Sequence, residues 1–158
     1  MRAKRPVGFL NVDLEIESST TLEPMAQEMG KAVVVLYSGR GKGRGHLLCL
    51  ESSRSPNTPD STALALCSLV ERLSVRGRQL WDRAKRKELN VGYDLINGAR
   101  AVQTALGRET LNRIVALGAT VAFTCYRGEN SEPAGAAGQS QPVAPQTNQT
   151  SETAGSGR

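Results

Sequence analysis

The stretch FLNVDLEIE, Phe9 to Glu17, decides the fold. Leu10, Val12, Leu14 and Ile16 alternate with Asn11, Asp13, Glu15 and Glu17. Successive side chains of a strand point to opposite faces, so a period of two collects the aliphatics on one face and the polar groups on the other. Such a strand is buried on one side only. A sheet built on it carries helices on one face and leaves the other open to water.

Reading outward, Ser18–Thr21 ends this strand, and Thr21 is placed to cap a helix over Leu22–Met29 that Gly30 stops. Ala32–Tyr37 is a second strand. Its run Val33-Val34-Val35-Leu36 is apolar on both faces, which predicts a buried or central position. Ser38–Gly45 reads as a glycine-alternating loop, and His46–Glu51 as the returning strand of a hairpin. Thr58-Pro59-Asp60 opens a helix with a cap, a proline at the first helical position and an early acid. It runs to about Leu73. Arg78–Lys87 reads as a second, basic helix after a break at Ser74–Gly77. Leu89, Val91 and Tyr93 alternate in a fourth strand. Residues 97–107 carry no clear period. Glu109–Leu117 is a helix ended by Gly118, and Ala119–Arg127 closes the chain of elements as a strand.

The predicted order is β-α-β-β-α-β-α-β, whose first six elements match the split β-α-β, ferredoxin-like arrangement. The expected fold is α+β: one mainly antiparallel sheet of about five strands with helices on one face. The expected organisation is a flexible basic N-terminus over residues 1–8, a single domain over 9–127 and a disordered tail over 128–158. That tail is Gly, Ala, Ser, Thr, Gln and Pro, with Val143 its only large aliphatic. Such a composition buries too little apolar surface to offset the entropy of ordering it.

The chain has 158 residues and a formal charge of +5. Glu129, Glu132, Glu152 and Arg158 give the tail −2, so residues 1–127 carry +7. No stretch approaches the ~20 apolar residues of a membrane span, and no apolar segment of a secretory signal follows the basic Met1–Pro6. With three widely spaced cysteines, Cys49, Cys67 and Cys125, the expectation is free thiols in a reducing cytoplasm. Cys67 and Cys125 alternate with large apolar residues and read as small core residues.

Two basic clusters and one acidic set carry the functional reading. Arg40, Lys42 and Arg44 alternate with glycines and read either as a solvated tip or as a phosphate-contacting loop. The segment is no P-loop, because no Gly-Lys-Ser/Thr follows and it runs into a strand. Arg76, Arg78, Arg83, Lys85, Arg86 and Lys87 form the second cluster, of which Arg78, Arg83 and Arg86 join the loop as candidate contacts for an anionic partner. Trp81 lies among them and reads as a core anchor, since Leu80, Trp81 and Ala84 share a helix face. Asp13, Glu15 and Glu17 share one strand face, with Asn90 and Asp94 alongside if the fourth strand neighbours the first. Three carboxylates at this spacing suit a divalent cation or acid–base chemistry, but equally a solvated face balanced by a cross-strand Arg, or a docking face for a basic partner.

Catalytic equipment is sparse. His46 is the only histidine, no Gly-x-Ser-x-Gly elbow exists, and His46 and Cys49 point to opposite faces of their strand. No enzymatic activity, cofactor or metal site is expected. The expected function is a non-catalytic cytosolic binding protein with a protein partner. The alternative is nucleic-acid binding through the loop and basic helix, although aromatic residues are only 4% of the chain and offer no stacking platform.

Four segments together, FLNVDLEIES (9–18), HLLCLES (46–52), LWDRAKRKELNVGYD (80–94) and LGATVAFTCYR (117–127), resemble a bacterial protein family of unknown function. The most characteristic part is the Trp-Asp helix, the Asn90-Val91-Gly92-Tyr93 strand and the closing strand ending in Tyr. The likeness covers roughly the 120 residues of one domain. It extends distantly to small immunity-type proteins, which implies a protein partner and no catalytic residues. The Arg/Gly loop, residues 97–107 and the tail depart from the family pattern.

Overall fold

A computed structural model of the chain describes residues 8–54, 58–95 and 103–127. The expectations for the N-terminus, the tail and residues 97–102 lie outside the described residues. The elements, in chain order, are β1 (Phe9–Ser18), α1 (Glu23–Met29), a single 3-10 turn (Gly30–Ala32), β2 (Val33–Arg40), β3 (His46–Ser52), α2 (Pro59–Glu71), α3 (Val75–Arg83), β4 (Arg86–Leu95), α4 (Arg108–Ala116) and β5 (Thr120–Arg127). The five strands form one mixed sheet in the order β2-β3-β1-β4-β5. The pairs β2/β3, β3/β1 and β1/β4 are antiparallel, and β4/β5 is parallel. The expected α+β class is the one observed.

The period-two reading of β1 holds from Val12 onward. Val12, Leu14 and Ile16 are completely buried, together with Leu48 and Leu50 of β3 and Leu89 and Val91 of β4. Against this inner face pack Met25 and Met29 of α1, Leu66, Cys67 and Val70 of α2, Trp81 of α3 and Ile114 of α4. At its start β1 departs from the pattern. The register shifts between Phe9 and Asn11, so Phe9 is buried against Tyr93 and Leu10 is exposed. A β-bulge moves every side chain before it to the other face, and alternation alone does not reveal one.

Side-chain caps mark where α2 and α3 start, whereas α1, with Leu22 at its N-cap, and α4 have none. Thr58 Oγ1 accepts from the Ser61 N–H at 3.1 Å, and Ser61 Oγ reaches back to the Thr58 N–H, a capping box ahead of Pro59. Ser74 caps α3 through the Gly77 N–H, while its own Oγ donates to Glu28 of α1 at 2.9 Å. Gly118 stops α4 with φ +65°, a conformation that favours glycine. Asp60 ties two helices together. Its Oδ1 accepts from the Gly107 N–H at 2.7 Å and from Thr110 Oγ1 at 2.5 Å, joining the start of α2 to the start of α4. Trp81 is fully buried, as expected of a core anchor. Its indole Nε1 donates to the Leu117 carbonyl at 2.9 Å, and the Lys87 ammonium lies 5.7 Å from its ring.

Four expectations are overturned. The Val-rich second strand is not central: β2 is an edge, and Val34, Val35, Leu36 and Tyr37 are each 45–47% exposed. An apolar run marks a strand able to be buried on both faces, but the topology gives it a neighbour on one side only. The glycine-alternating loop is also shorter than expected, because Ser38–Arg40 belong to β2 and only residues 41–45 form the turn. The basic helix does not reach Lys87. Ala84 adopts an extended ψ of 138°, α3 ends at Arg83, and Arg86 and Lys87 open β4. Cys125 is exposed rather than in the core, since β5 is the other edge; Cys67 is buried, and all three cysteines are free thiols.

Candidate functional site: an acidic open face and a basic corner

The helix-free face of the sheet is read from the register. Asp13 lies between Glu51 and Asn90, Glu15 between Cys49 and Glu88, and Glu17 between Leu47 and Arg86. The sequence-predicted carboxylates Asp13, Glu15 and Glu17 therefore do share one face. Register adds two more, Glu51 and Glu88, which residue spacing on one strand does not reveal. Among the described residues the face carries one ion-paired cation, Arg86. Its Nη2 donates to Glu17 Oε1 at 2.8 Å and Glu15 Oε2 at 3.1 Å, and its Nη1 to Glu88 Oε1 at 2.8 Å. This is the cross-strand arginine that the balanced-face reading asks for. Among the described residues these five carboxylates, with Asp94 further along the same face of β4, meet one guanidinium, so the strip keeps a net negative charge.

Amides fill part of the deficit. Asn11 Nδ2 donates to Glu51 Oε2, and Asn90 Nδ2 donates to Glu15 Oε1 at 3.3 Å while its Oδ1 accepts from Thr124 at 2.8 Å. Asn90 thus stands beside the acidic strand as its spacing suggested. Asn11 Oδ1 and Asp94 Oδ1 are buried and accept from no donor among the described residues. Exposed aromatic and aliphatic side chains flank the acidic strip. Val34 and Tyr37 lie on the β2 side. Leu10 and Tyr126 border Gly92 on the β5 side, both within 3.7 Å of where a Cβ at Gly92 would stand.

The uncompensated charge leaves a mark on ionisation. Burial, then Glu51 and Glu15, raises the Asp13 carboxyl above its ordinary 3.8. Burial, followed by Asp13 and Glu15, pushes the Cys49 thiol on the same face up to about 11, so Cys49 is a poor nucleophile at neutral pH. The carboxyl of Asp13 holds its proton more tightly in the folded chain, so its contribution to stability falls as pH rises from 3.8 through the raised value. Asp13→Asn is therefore expected to raise the thermal midpoint at pH 7. The gain should disappear in melts well below pH 3.8, where both forms are neutral. A lower midpoint at pH 7 would contradict the repulsion.

The six cations of the anionic-partner set do not converge. Arg86 is committed to the acidic face. Arg78 pairs with Asp82 on α3 at 3.1 Å, and Arg83 is exposed at the end of the same helix. Arg40 ends β2 opposite His46. Lys42 and Arg44 instead meet Lys85 and His46 around a cavity of about 380 Å³ at the corner where β1 ends. Lys85 was not among the predicted contacts. It stands one residue before β4, and its neighbour Arg86 points to the open face. Among the described residues no group of three His, Cys, Asp or Glu side chains is arranged to hold a metal ion, and no helix is long and apolar enough to cross a membrane.

No family model, no curated protein and no solved structure matches the chain, and the bacterial-family resemblance rests on the quoted segments alone.

Proposed function

We propose that the protein is a non-catalytic binding module that docks a basic protein surface on its open sheet face. The observation that carries this reading is the strip of five carboxylates that, among the described residues, has a single guanidinium to balance it. A Lys/Arg-rich surface supplies the missing charge. The flanking Tyr37, Tyr126, Leu10 and Val34 give the apolar and aromatic area that interface centres use, while charge supplies register and steering. The elevated Cys49 thiol argues against nucleophilic chemistry on this face.

The test is a titration of the full chain with a Lys/Arg-rich peptide, followed by amide chemical shifts at low salt. The expected shifts fall on β1, β3 and β4, and affinity drops as salt rises past the point where the Debye length reaches about 8 Å. The pair Glu51→Gln and Glu88→Gln should weaken binding. Shifts confined to other surfaces, or an affinity indifferent to that pair, would reject the reading.

A further inference from the structure

The corner cavity is the second place where charge is gathered, and it has the opposite sign. Its walls come from three strand ends. β1 finishes at Glu17-Ser18, β3 begins beside it with His46, and β4 begins on its other side just after Lys85. The cavity is lined by Lys42, Arg44, His46 and Lys85, with Glu17, Ser18 and Ser19. Its one carboxylate, Glu17, is already engaged by Arg86 at 2.8 Å. Among the described residues Lys42, Arg44 and Lys85 take part in no ion pair. Three unopposed cations therefore face one cavity.

These cations hang from backbone that is held in place. The Lys85 N–H donates to the Glu17 carbonyl at 2.7 Å, which fixes Lys85 against the end of β1. The Gly41 N–H donates to the Gly45 carbonyl at 2.9 Å and closes the turn that carries Lys42 and Arg44. Gly43 turns the chain with φ +73°. Gly45 lies so close to β1 that a Cβ there would stand 3.2 Å from the Ser18 carbonyl oxygen. The glycine alternation that reads in the sequence as looseness here seats the loop on the sheet.

We infer that this corner is a binding site for a small phosphorylated molecule, a diphosphate or phosphomonoester held by Lys42, Arg44 and Lys85. Arg offers a fork of N–H donors matched to phosphate oxygens, and Lys adds compact positive charge. One carboxylate group would satisfy too few of these donors. No Phe, Tyr or Trp lines the cavity and His46 is its one aromatic ring, so recognition falls chiefly on the phosphate. This inference is independent of the acidic face and stands or falls without it.

The experiment is calorimetric titration of the full chain with sodium pyrophosphate, with sodium sulfate and chloride at matched ionic strength as controls. Saturable pyrophosphate binding is expected, with sulfate much weaker. Lys42→Ala, Arg44→Ala and Lys85→Ala should each weaken it about tenfold, the scale of one charge-assisted hydrogen bond. Arg83→Ala removes the same charge outside the cavity and should change nothing. Gly45→Ala keeps every charge but crowds Ser18, and should weaken binding while the protein stays folded by circular dichroism. A nucleoside diphosphate and a sugar phosphate then distinguish the sources of the phosphate. The inference is overturned by absence of pyrophosphate binding, by equal losses in Arg83→Ala and Lys85→Ala, or by binding to a single-stranded oligonucleotide with none to pyrophosphate.

Discussion

Trp81→Ala is expected to destabilise the fold by about 3–5 kcal/mol, the range for emptying a fully buried aromatic site. Trp81 is 0% exposed and forms one centre of the layer between helices and sheet. Three losses combine in the truncation. The indole area returns to solvent or leaves a cavity, the Leu117 carbonyl loses its donor at 2.9 Å, and the Lys87 ammonium loses the ring beneath it. Chemical denaturation followed by far-ultraviolet circular dichroism measures the effect, since the substitution removes the chain's single tryptophan. Trp81→Phe separates the contributions, because it keeps much of the packing and deletes the hydrogen bond, and should fall in between. A Trp81→Ala loss under about 1 kcal/mol would show that the indole does not anchor α3 to the end of α4.

The second large effect is at Asp60. Asp60→Ala removes the shared acceptor of Gly107 and Thr110, and Thr110 is completely buried. A buried hydroxyl without a partner costs about 1–3 kcal/mol. Thr110→Val removes the hydroxyl while keeping its shape, so Asp60→Ala in that background should cost clearly less. The coupling from this double-mutant cycle reads the pair directly. Additive losses would mean that Asp60 acts only as a favourable acid in the first turn of α2.

What was legible in the sequence was local. The alternation in β1 identified the buried face from Val12 on, and Thr58-Pro59-Asp60 placed the start of α2, because both signals act between neighbours. Position in the sheet was not legible. Val34–Leu36 and Cys125 have the composition of buried strands, but exposure depends on which strand lies alongside, and both belong to edges. The end of α3 carried no glycine or proline, so a run of Arg and Lys at helical spacing concealed the turn at Ala84.

The site follows the same division. Asp13, Glu15 and Glu17 were visible as a set because one strand holds them, whereas Glu51, Glu88 and the neutralising role of Arg86 needed the pairing of three strands. Lys85 was overlooked for a similar reason. Only its placement at the end of β1 separates it from Arg86, and the order of basic residues 85–87 gives no sign of that.

The position of β1 also sets an order of assembly during synthesis. It leaves the ribosome before the other four strands of the sheet, yet it ends as the middle strand of five. Once residues up to 52 have emerged, β2 and β3 can join it as a three-stranded piece, with Asp13, Glu15 and Glu17 along its free edge. The partner for that edge, Arg86–Leu95, arrives about 70 residues after β1, and contacts of such separation form slowly. Like-charged carboxylates on the waiting strand, unneutralised until Arg86 appears, discourage two nascent chains from pairing there. The acidic strip can therefore guard the half-made sheet before it serves any partner.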